Sequence, residues 1–449
     1  MQACTPAIQG QAKTGKPSDR LIAHLDMDAF FASVELLRFP QLQGLAVVVG
    51  GRSKSIIQQM QALETRFGSH KAIEAQSMPR LAQYQGRGVI TTASYAARAY
   101  GIGSGMGLMK AAERCPEAIL LAADFERYRE YSRRFKALIR AQGLAIEDRG
   151  IDEVYIDLSH CSHRDEAITV ARSLQAAIFK DTGLSCSIGL APNKLLAKLA
   201  SELEKPMGLS QLHSDSVQAV LWPLPVSRLH GVGPRTAEKL KALGLDLIGQ
   251  LAKSDPASLQ ARFGASHGRW LIEASWGIDE RPMVLASEPI SISRETTLER
   301  DMHPSHDRQA LSERFTALCH QLAADLQAKQ RLCRSVSVKI RNDQFKTSTR
   351  DVSFAEPTDD PARIRSWAGQ CLKRFVFDRR IRLLGVKATR LSPRHLAATA
   401  LADALRSNHQ AATDPEQLQP VAASQHALWP ELEPALPWTS QKAQLENRP

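Results

Sequence analysis

The chain has 449 residues and a formal net charge of +11 at pH 7, with 43% hydrophobic and 23% charged residues. This length predicts about three or four domains. Because no long apolar run is present and the first twenty residues are polar, we expect neither a membrane span nor a signal peptide. Seven scattered cysteines without a Cys-x-x-Cys pair argue against a disulfide framework and a zinc site, so we expect a cytoplasmic protein.

The positive charge is unevenly distributed along the chain. From Arg394 to the C-terminus there are four Lys and Arg residues against six Asp and Glu residues, so this part carries −2 and the rest +13. A basic body indicates a polyanionic partner, nucleic acid or an anionic membrane, although a basic surface that meets only solvent is the alternative. We expect residues 1–20 to be a disordered leader and residues 394–449 to be a flexible tail.

Strand and helix patterns alternate in the first half of the chain. The predicted elements are a strand–helix–strand unit over 21–51 with its second strand at 45–49, a helix from 53 that ends at Gly68, a strand over 89–94, a helix over 125–139, a strand over 154–158, a helix over 165–179, a strand over 184–190 and a helix over 192–203. The aromatic stripe of helix 125–139 is typical of core packing. Short helices follow to about residue 275, and a mixed segment over 290–393 has strands at 335–341 and 382–390.

Two acidic patches lie at the ends of predicted strands. Asp26 and Asp28 follow the first apolar run, and Asp152 and Glu153 open a later strand. Carboxylates brought together by folding are what a pair of hard cations requires, and such a pair drives phosphoryl and nucleotidyl transfer; solvated surface acids are the alternative for either patch alone. Because strand alternation would turn Asp152 and Glu153 to opposite faces, we predict a turn or bulge at Gly150.

Three further segments carry groups that can bind phosphate. Tyr95 and Arg98 would share one face of a helix, and Lys194 and Lys198 lie one turn apart on another, although structural or solvated roles are commoner for such residues. The Gly-Val-Gly segment 231–233 lies between short helices and frees backbone N–H groups for a phosphate, the pattern of a helix-hairpin-helix. Two histidines are interpreted as packing or surface residues and not as ligands: His24 and His230.

Taken together, these motifs closely resemble the Y-family translesion DNA polymerases of the bacterial DNA polymerase IV type. The resemblance covers about residues 20–393, and its motifs are 24–35, 49–51, 87–90, 95–98, 151–153, 191–194, 205–208, 231–233 and 293–296. It implies an α+β multidomain fold in the form of a right hand. The implied domains are a palm with a mixed sheet plus helices (21–31 and 114–203), small fingers (32–113), a helical thumb with a helix-hairpin-helix (204–280) and an α/β little finger (288–393).

The resemblance also implies roles for individual residues. Asp26, Asp152 and Glu153 would be the catalytic carboxylates around two Mg²⁺ ions, with the Met27 backbone carbonyl as a further ligand, whereas Asp28 would be a structural, hydrogen-bonding acid. A steric gate against ribonucleotides would be formed by the Phe31 ring. The residues implied at the incoming nucleotide are Phe30, Phe31, Thr92, Tyr95, Arg98 and Lys198, and those at the DNA backbone are Gly231, Val232 and Gly233.

The chain departs from the family pattern in three places. The family commonly has Ser where Gly150 stands, and Ser-Ala-Met-Pro where residues 104–107 are Ser-Gly-Met-Gly. Residues 52–86 form an insertion where family members usually have only a few residues. We interpret this insertion as an elaboration of the fingers that contacts the template strand.

The function implied by the resemblance is template-directed, low-fidelity DNA synthesis without proofreading, which adds dNTPs to a primer 3′-hydroxyl during damage tolerance and repair. The expected partners are primer–template DNA, a dNTP and a sliding clamp bound through Gln425, Leu428 and Trp429; a monomer without membrane binding is expected. One alternative is a catalytically silent relative acting as a DNA- and clamp-binding adaptor, but such proteins lose the metal carboxylates. A helix-hairpin-helix nuclease or repair factor would leave Phe31, Tyr95 and Arg98 unexplained.

Overall fold

The computed structural model describes residues 20–51 and 54–395, so the predicted leader and tail lie almost wholly outside the described residues. The chain divides into two units between Ser287 and Glu288. The predicted little finger begins at this boundary. The residue bounds of palm, fingers and thumb within the first unit stay a prediction.

The described strands of the first unit form two sheets. They are β1 (Ile22–Met27), β2 (Val47–Gly50), β3 (Ile90–Ala93), β4 (Ile119–Leu121), β5 (Ile146–Asp148), β6 (Glu153–Asp157), β7 (Cys186–Ala191) and β8 (Leu209–Gln211). The larger sheet has the order β5-β6-β1-β7-β8 and is antiparallel except for the pair β7–β8. The smaller has the order β3-β2-β4, in which β2 is antiparallel to β3 and parallel to β4.

Helices cover these sheets and continue into a helical segment after β8. They are α1 (Phe30–Arg38), α2 (Lys54–Phe67), α3 (Tyr95–Arg98), α4 (Leu108–Arg114), α5 (Phe125–Ala141), α6 (Arg164–Thr182), α7 (Lys194–Ser201), α8 (Val217–Val220), α9 (Pro234–Lys241), α10 (Ile248–Ala252), α11 (Pro256–Phe263) and α12 (Ala265–Ser275). The elements predicted over residues 21–203 are all present, with ends that differ by up to three residues. The three-residue strands β4, β5 and β8 were not predicted, because so few residues carry no periodicity.

β1 is the middle strand of the larger sheet. Ile22, Ala23, Leu25 and Met27 are all buried, which shows that both faces of the strand are covered. Each large apolar side chain buried in this way stabilises the fold by about 1.5–3 kcal/mol. Asp26 lies near the end of the strand and keeps partial access to solvent. The core therefore fixes β1 firmly and leaves one carboxylate at its edge.

Short polar side chains begin the helices that carry the site. Asn193 accepts a hydrogen bond from the N–H of Leu196 (3.0 Å) at the start of α7, and Asp124 accepts one from Arg127 (3.2 Å) at the start of α5. Each such cap stabilises its helix by about 1 kcal/mol. The Asn193 cap explains why α7 begins two residues later than predicted.

The insertion folds into the core of the first unit. Its described residues, 54–86, include α2 and three single 3₁₀ turns, and the predicted stop at Gly68 is confirmed, with φ 70°. Ile73 and Leu81 are completely buried in the same cluster as the strands of both sheets. The Arg80 guanidinium donates to the carbonyls of Glu117 (2.7 Å) and Ala75 (3.0 Å). Arg80 therefore anchors the insertion, and contact of the insertion with a template strand stays a prediction.

Between residues 288 and 393, the second unit is one antiparallel sheet with two helices. Its elements are β9 (Ser291–Met302), α13 (Arg308–Ala328), β10 (Arg331–Asn342), β11 (Thr347–Thr358), α14 (Pro361–Leu372) and β12 (Ile381–Pro393), with strand order β11-β10-β12-β9. Both helices pack their apolar residues against the sheet. The strands predicted at 335–341 and 382–390 are confirmed as the inner parts of β10 and β12. Among the described helices, none has both the length and the apolar character that a membrane crossing requires.

Candidate active site

The two acidic patches meet at one end of the five-stranded sheet. Asp26 on β1 lies directly opposite Glu153 on β6, and the N–H of Met27 donates to the carbonyl of Asp152 at 3.0 Å. His24, Asp26 and Glu153 each place one potential ligand atom within 4.8 Å of the others. We call Asp26, Asp152 and Glu153 the carboxylate cluster.

A turn before β6 brings Asp152 and Glu153 to the same end of the sheet. β6 begins at Glu153, so Asp152 lies in the preceding bend and is not subject to strand alternation. Gly150 has φ 154°, a backbone conformation that L side chains rarely adopt. Lys136, buried in α5, donates to the Gly150 carbonyl and to the Asp148 carboxylate (2.8 Å) and so holds the turn. The predicted turn at Gly150 is confirmed.

Burial and neighbouring charges shift the pKa values of the cluster. Burial raises the pKa of Asp26, against the opposing charge of Lys205. Burial, and then the charges of Asp26 and Glu153, raise the pKa of Asp152. Although burial alone would raise the pKa of Glu153, the neighbouring His24 and Lys198 lower it to about 2. A nearby cation would therefore stabilise the charged forms of Asp26 and Asp152.

Two lysines supply positive charge at this edge. Lys205 Nζ lies 2.7 Å from Asp26 Oδ1 and 2.8 Å from Glu202 Oε1, while Lys198 forms an ion pair with Glu153. The sequence implied a role for Lys198 only. Lys205 was missed, although it opens the 205–208 segment that resembles the family, because no spacing connects it to a residue 179 positions earlier in the chain.

His24 is a buried histidine beside the cluster. Its Nδ1 lies 2.8 Å from Ser201 Oγ, and because Ser201 Oγ donates to the Lys198 carbonyl (2.8 Å), His24 Nδ1 is the donor to that oxygen. Burial lowers the pKa of His24, and the neighbouring Glu153 opposes this shift. Its Nε2 faces Glu153 Oε2 at 3.2 Å. His24 packs in the core as predicted, but it also contributes to this site.

The donors at this edge fit divalent metal ions. Three carboxylates provide oxygen ligands, which hard cations prefer. Burial raises the pKa values of Asp26 and Asp152, and at Asp152 the charges of Asp26 and Glu153 add to this shift. The Nε2 of His24 faces the same place.

Lys194 does not belong to the cluster. It is 5% exposed and donates to the Glu147 carboxylate (2.9 Å), which is 3% exposed, and to the Pro282 carbonyl (2.7 Å). The amide of Val284 also donates to Glu147 (2.8 Å). Of the two lysines one turn apart on α7, only Lys198 contacts the carboxylate cluster.

Replacing Lys194 with Met is expected to destabilise the first unit by about 3 kcal/mol, because the buried Glu147 carboxylate loses its nearer counter-ion and keeps Arg149 at 3.5 Å. Chemical denaturation measures the change in the free energy of unfolding. Lys198→Met is the matched control, since Lys198 lies one turn further along α7 at the edge of the site, and it should lose much less stability. Equal losses in the two variants would contradict this assignment.

The predicted phosphate-binding helix is present as α3. The side chain of Ser94 accepts a hydrogen bond from the N–H of Ala97 and begins the helix, and the Arg98 guanidinium lies 4.8 Å from the centre of the Tyr95 ring. Burial and the charge of Asp28 raise the pKa of Tyr95 to about 12, so its hydroxyl keeps its proton. Thr92 is buried on the adjoining β3. Their contact with a nucleotide stays a prediction.

Asp28 is a structural acid, as predicted. It is buried and accepts hydrogen bonds from Ser187 Oγ (2.7 Å) and from the N–H of Met207 (2.9 Å). These bonds join the turn after β1 to β7 and to the segment before β8.

Phe31, the implied steric gate, lies in the first turn of α1. Its ring stacks on Tyr128 with centroids 4.3 Å apart and planes at 17°, and meets the edge of Phe125 at 5.8 Å. Unlike Phe31, the neighbouring Phe30 is buried in the core. Any contact of Phe30 with a nucleotide must therefore come from its backbone.

The Gly-Val-Gly segment lies where the sequence predicted, between a 3₁₀ turn (Val226–Arg228) and α9. Gly231 has φ 108°, and a Cβ added there would lie 2.8 Å from the Trp270 ring. Gly233 has an ordinary φ of −79°, and a Cβ there would meet nothing within 4 Å. Contact of this segment with the DNA backbone stays a prediction.

Gly231→Ala is expected to lower the free energy of unfolding by about 1–3 kcal/mol, because a side chain in this conformation is strained and meets Trp270. Gly233→Ala makes the same change two residues away, where the backbone and the space both tolerate a methyl group. Thermal unfolding of the two variants measures the difference. Loss of the same size in both would mean that Gly231 is not under conformational constraint.

The implied clamp-binding residues Gln425, Leu428 and Trp429 lie outside the described part of the chain.

Comparisons with known proteins give matches along most of the chain. Family models match at residues 25–202 (impB/mucB/samB family), 289–401 (impB/mucB/samB family C-terminal domain) and 214–245 (IMS family HHH motif). A relative named DNA polymerase IV from Methanoculleus marisnigri is 36% identical over 372 residues, which are 83% of this chain and 94% of the relative. DNA polymerase IV 2 of Mycobacterium tuberculosis is 36% identical (82% and 97% covered), and DNA polymerase IV 1 of Bacillus subtilis is 33% identical (89% and 88% covered).

A solved structure of a chimeric Y-family DNA polymerase is similar in fold. It superimposes with a TM-score of 0.68 at 22% identity and covers 83% of this chain and 99% of its own. The expected architecture with palm, thumb and little finger is therefore confirmed as a Y-family polymerase fold.

Proposed function

The chain belongs to the impB/mucB/samB family, the Y-family of DNA polymerases, and from this premise we propose that it is a template-directed DNA polymerase of the translesion type. The observation that carries the proposal is the carboxylate cluster at the end of the larger sheet. Asp26 lies opposite Glu153, and the Asp152 carbonyl accepts a hydrogen bond from the N–H of Met27, which follows Asp26 on β1. A catalytically silent adaptor is not favoured, since it would not need this cluster.

Divalent metal dependence is general among such polymerases, and the oxygen donors of the cluster fit Mg²⁺. We propose that Asp26, Asp152, Glu153 and the Met27 carbonyl hold two Mg²⁺ ions. When bound, a metal pair favours deprotonation of the primer 3′-hydroxyl and neutralises the charge that develops on the leaving pyrophosphate. The sheet fixes the carboxylates in advance, so their arrangement costs little reorganisation during the reaction.

The residues around the cluster would bind and orient the incoming dNTP. Lys198 and Lys205 present ammonium groups at the same edge, where they can pair with the triphosphate. Tyr95 and Arg98 add a hydroxyl donor and a guanidinium from α3. The Phe31 ring would pack against the sugar and leave no room for a 2′-hydroxyl.

The helix-hairpin-helix segment and the basic body of the chain would hold the primer–template DNA. Backbone N–H groups at 231–233 contact phosphates without reading sequence. Binding that rests on phosphate neutralisation weakens steeply as salt rises.

Primer extension tests the proposal directly. The full chain is incubated with a primer–template, one dNTP at a time and Mg²⁺, on undamaged and on lesion-bearing templates. Addition of the complementary dNTP is the expected result. An inert wild-type protein that still binds the primer–template would overturn the polymerase assignment in favour of the adaptor.

We also propose that the tail docks on a sliding clamp through Gln425, Leu428 and Trp429. Leu428→Ala/Trp429→Ala is expected to remove stimulation of primer extension by the clamp, because the two side chains would fill an apolar groove. Synthesis without the clamp should not change. The matched control is Leu436→Ala/Trp438→Ala, a second Leu and Trp pair in the same tail, which should keep the stimulation. Equal stimulation of all three proteins would exclude this docking segment.

A further inference from the structure

The ring that supports Phe31 is itself fixed by a buried hydrogen bond. Tyr128 lies in α5, is completely buried, and stacks on Phe31 with centroids 4.3 Å apart. At its far end its hydroxyl donates to Glu35 Oε1 at 2.6 Å. Stacking adds about 0.5–1.5 kcal/mol to such a contact, whereas a hydrogen bond to a carboxylate fixes the ring along its long axis.

Glu35 lies on the same face of α1 as Phe31, four residues further along. Its side chain is only 1% exposed. Burial raises the pKa of Glu35, and the hydrogen bonds from Tyr128 and Arg38 oppose this shift. Arg38 Nη1 donates to the second carboxylate oxygen, Oε2, at 3.0 Å. A buried carboxylate with donors on both oxygens cannot shift without losing one of them.

Arg38 in turn is held by the insertion. Its Nη2 lies 2.6 Å from His70 Nε2 and 3.6 Å from Glu64 Oε1, and both partners belong to residues 52–86. Gln41, one turn after Arg38, donates to the carbonyls of His70 (2.8 Å) and Ile73 (2.7 Å) and fixes the backbone of the insertion there. A continuous series of contacts thus connects the insertion to the Phe31 ring.

We propose that Glu35, Arg38 and Tyr128 are positioning residues for Phe31, and that the insertion, through Glu64 and His70, takes part in the exclusion of ribonucleotides. This inference rests on the proposed role of Phe31 as a steric gate. A ribonucleotide is excluded only if the Phe31 ring overlaps the position of its 2′-hydroxyl. The ring must therefore be held in place to within about 0.5 Å, and the side chains packed around a functional group provide this precision. A role for these residues in stability alone would leave sugar selection unchanged.

The test compares kcat/KM for a dNTP with kcat/KM for the matching ribonucleotide in the full chain. Tyr128→Phe keeps the stacked ring and removes the hydrogen bond to Glu35. The dNTP preference should then fall by about threefold to tenfold, which corresponds to part of the free energy of one hydrogen bond to a charged group. Glu35→Gln should act in the same direction and keeps the proposal testable if one variant folds poorly. Tyr131→Phe, the same change three residues along α5, should leave the preference unchanged.

The insertion is tested with the pair Glu64→Gln/His70→Ala and with Arg38→Met. Deleting 53–85 is unsuitable because it would remove Ile73 and Leu81 from the core. Each change should lower the dNTP preference. In the Arg38→Met background the insertion pair should lower it little further, because the effects of substitutions in one series of contacts are not additive. Glu74→Gln, elsewhere in the insertion, is the control.

The outcomes separate this inference from the proposed gate. If Phe31→Ala fails to admit ribonucleotides, the gate itself is wrong, and the inference falls with it. If Phe31→Ala admits them but the Tyr128, Glu35 and insertion variants keep the wild-type preference, the inference is overturned and the gate stands. Equal losses for dNTP and ribonucleotide would assign these residues to stability and would also overturn it.

Discussion

Glu153→Gln and Asp152→Asn are each expected to lower primer extension by about a thousandfold or more. Both changes keep the size of the side chain and remove one negative charge from the carboxylate cluster. The clamp that a metal pair places on the attacking and leaving oxygens is worth several kcal/mol, and about 4 kcal/mol corresponds to a thousandfold change in rate. Single-turnover incorporation of one dNTP, measured across a range of Mg²⁺ concentrations, gives the loss.

Asp157→Asn is the matched control for this experiment. Asp157 lies at the other end of the same strand, opposite Ile22, and its carboxylate accepts a hydrogen bond from the N–H of Ser159. The control should keep nearly full activity. Incorporation by Glu153→Gln at the level of this control would show that the carboxylate cluster is not the catalytic centre, even if the chain is a polymerase.

The position of the cluster could be predicted because it depends on local patterns. A strand whose residues are apolar on both faces has to lie inside a sheet, and Asp26 at the end of such a strand lies at its edge. Asp152 and Glu153 could be assigned to the same edge only with a turn, and Gly150 was the residue that suited it. Hydrophobic periodicity and the conformational freedom of glycine therefore contained the information needed.

The contacts made by the lysines could not be predicted, because they depend on how distant segments pack. Lys194 and Lys198 are equivalent in sequence, one turn apart on the same helix. Only the folded chain shows that Lys194 faces the buried Glu147 and that Lys198 faces Glu153. Lys205 carried no spacing signal at all.

The insertion also shows that long-range contacts could not be predicted from the sequence. Its helix, expected from residue 53 to a stop at Gly68, could be predicted with nearly correct ends. The insertion was interpreted as an elaboration that contacts the template strand, which stays a prediction, whereas the structure shows that its buried residues belong to the main core and that His70 contacts Arg38. Composition alone does not reveal which face of an inserted helix is covered.

Phe31→Ala is expected to raise the use of ribonucleotides relative to dNTPs by about a thousandfold. In the wild type, a 2′-hydroxyl would have to enter a packed contact, which costs about 1–3 kcal/mol, and would lose its hydrogen bonds to water, which costs about 1–3 kcal/mol more. Removing the ring removes both costs, while the Tyr128 ring behind it stays fixed by Glu35. The ratio of kcat/KM for the two nucleotides measures the change.

The sign of this result is specific to a steric gate. Because the alanine removes only an obstacle, kcat/KM for the ribonucleotide should rise in absolute terms, while that for the dNTP should stay level or fall through lost packing against the sugar. Phe179→Ala is the control, since Phe179 is an exposed ring on α6, and both kcat/KM values should stay at the wild-type level. If Phe31 acted only as a core residue, both nucleotides would lose activity together, and the ribonucleotide value would not rise above that of the wild type.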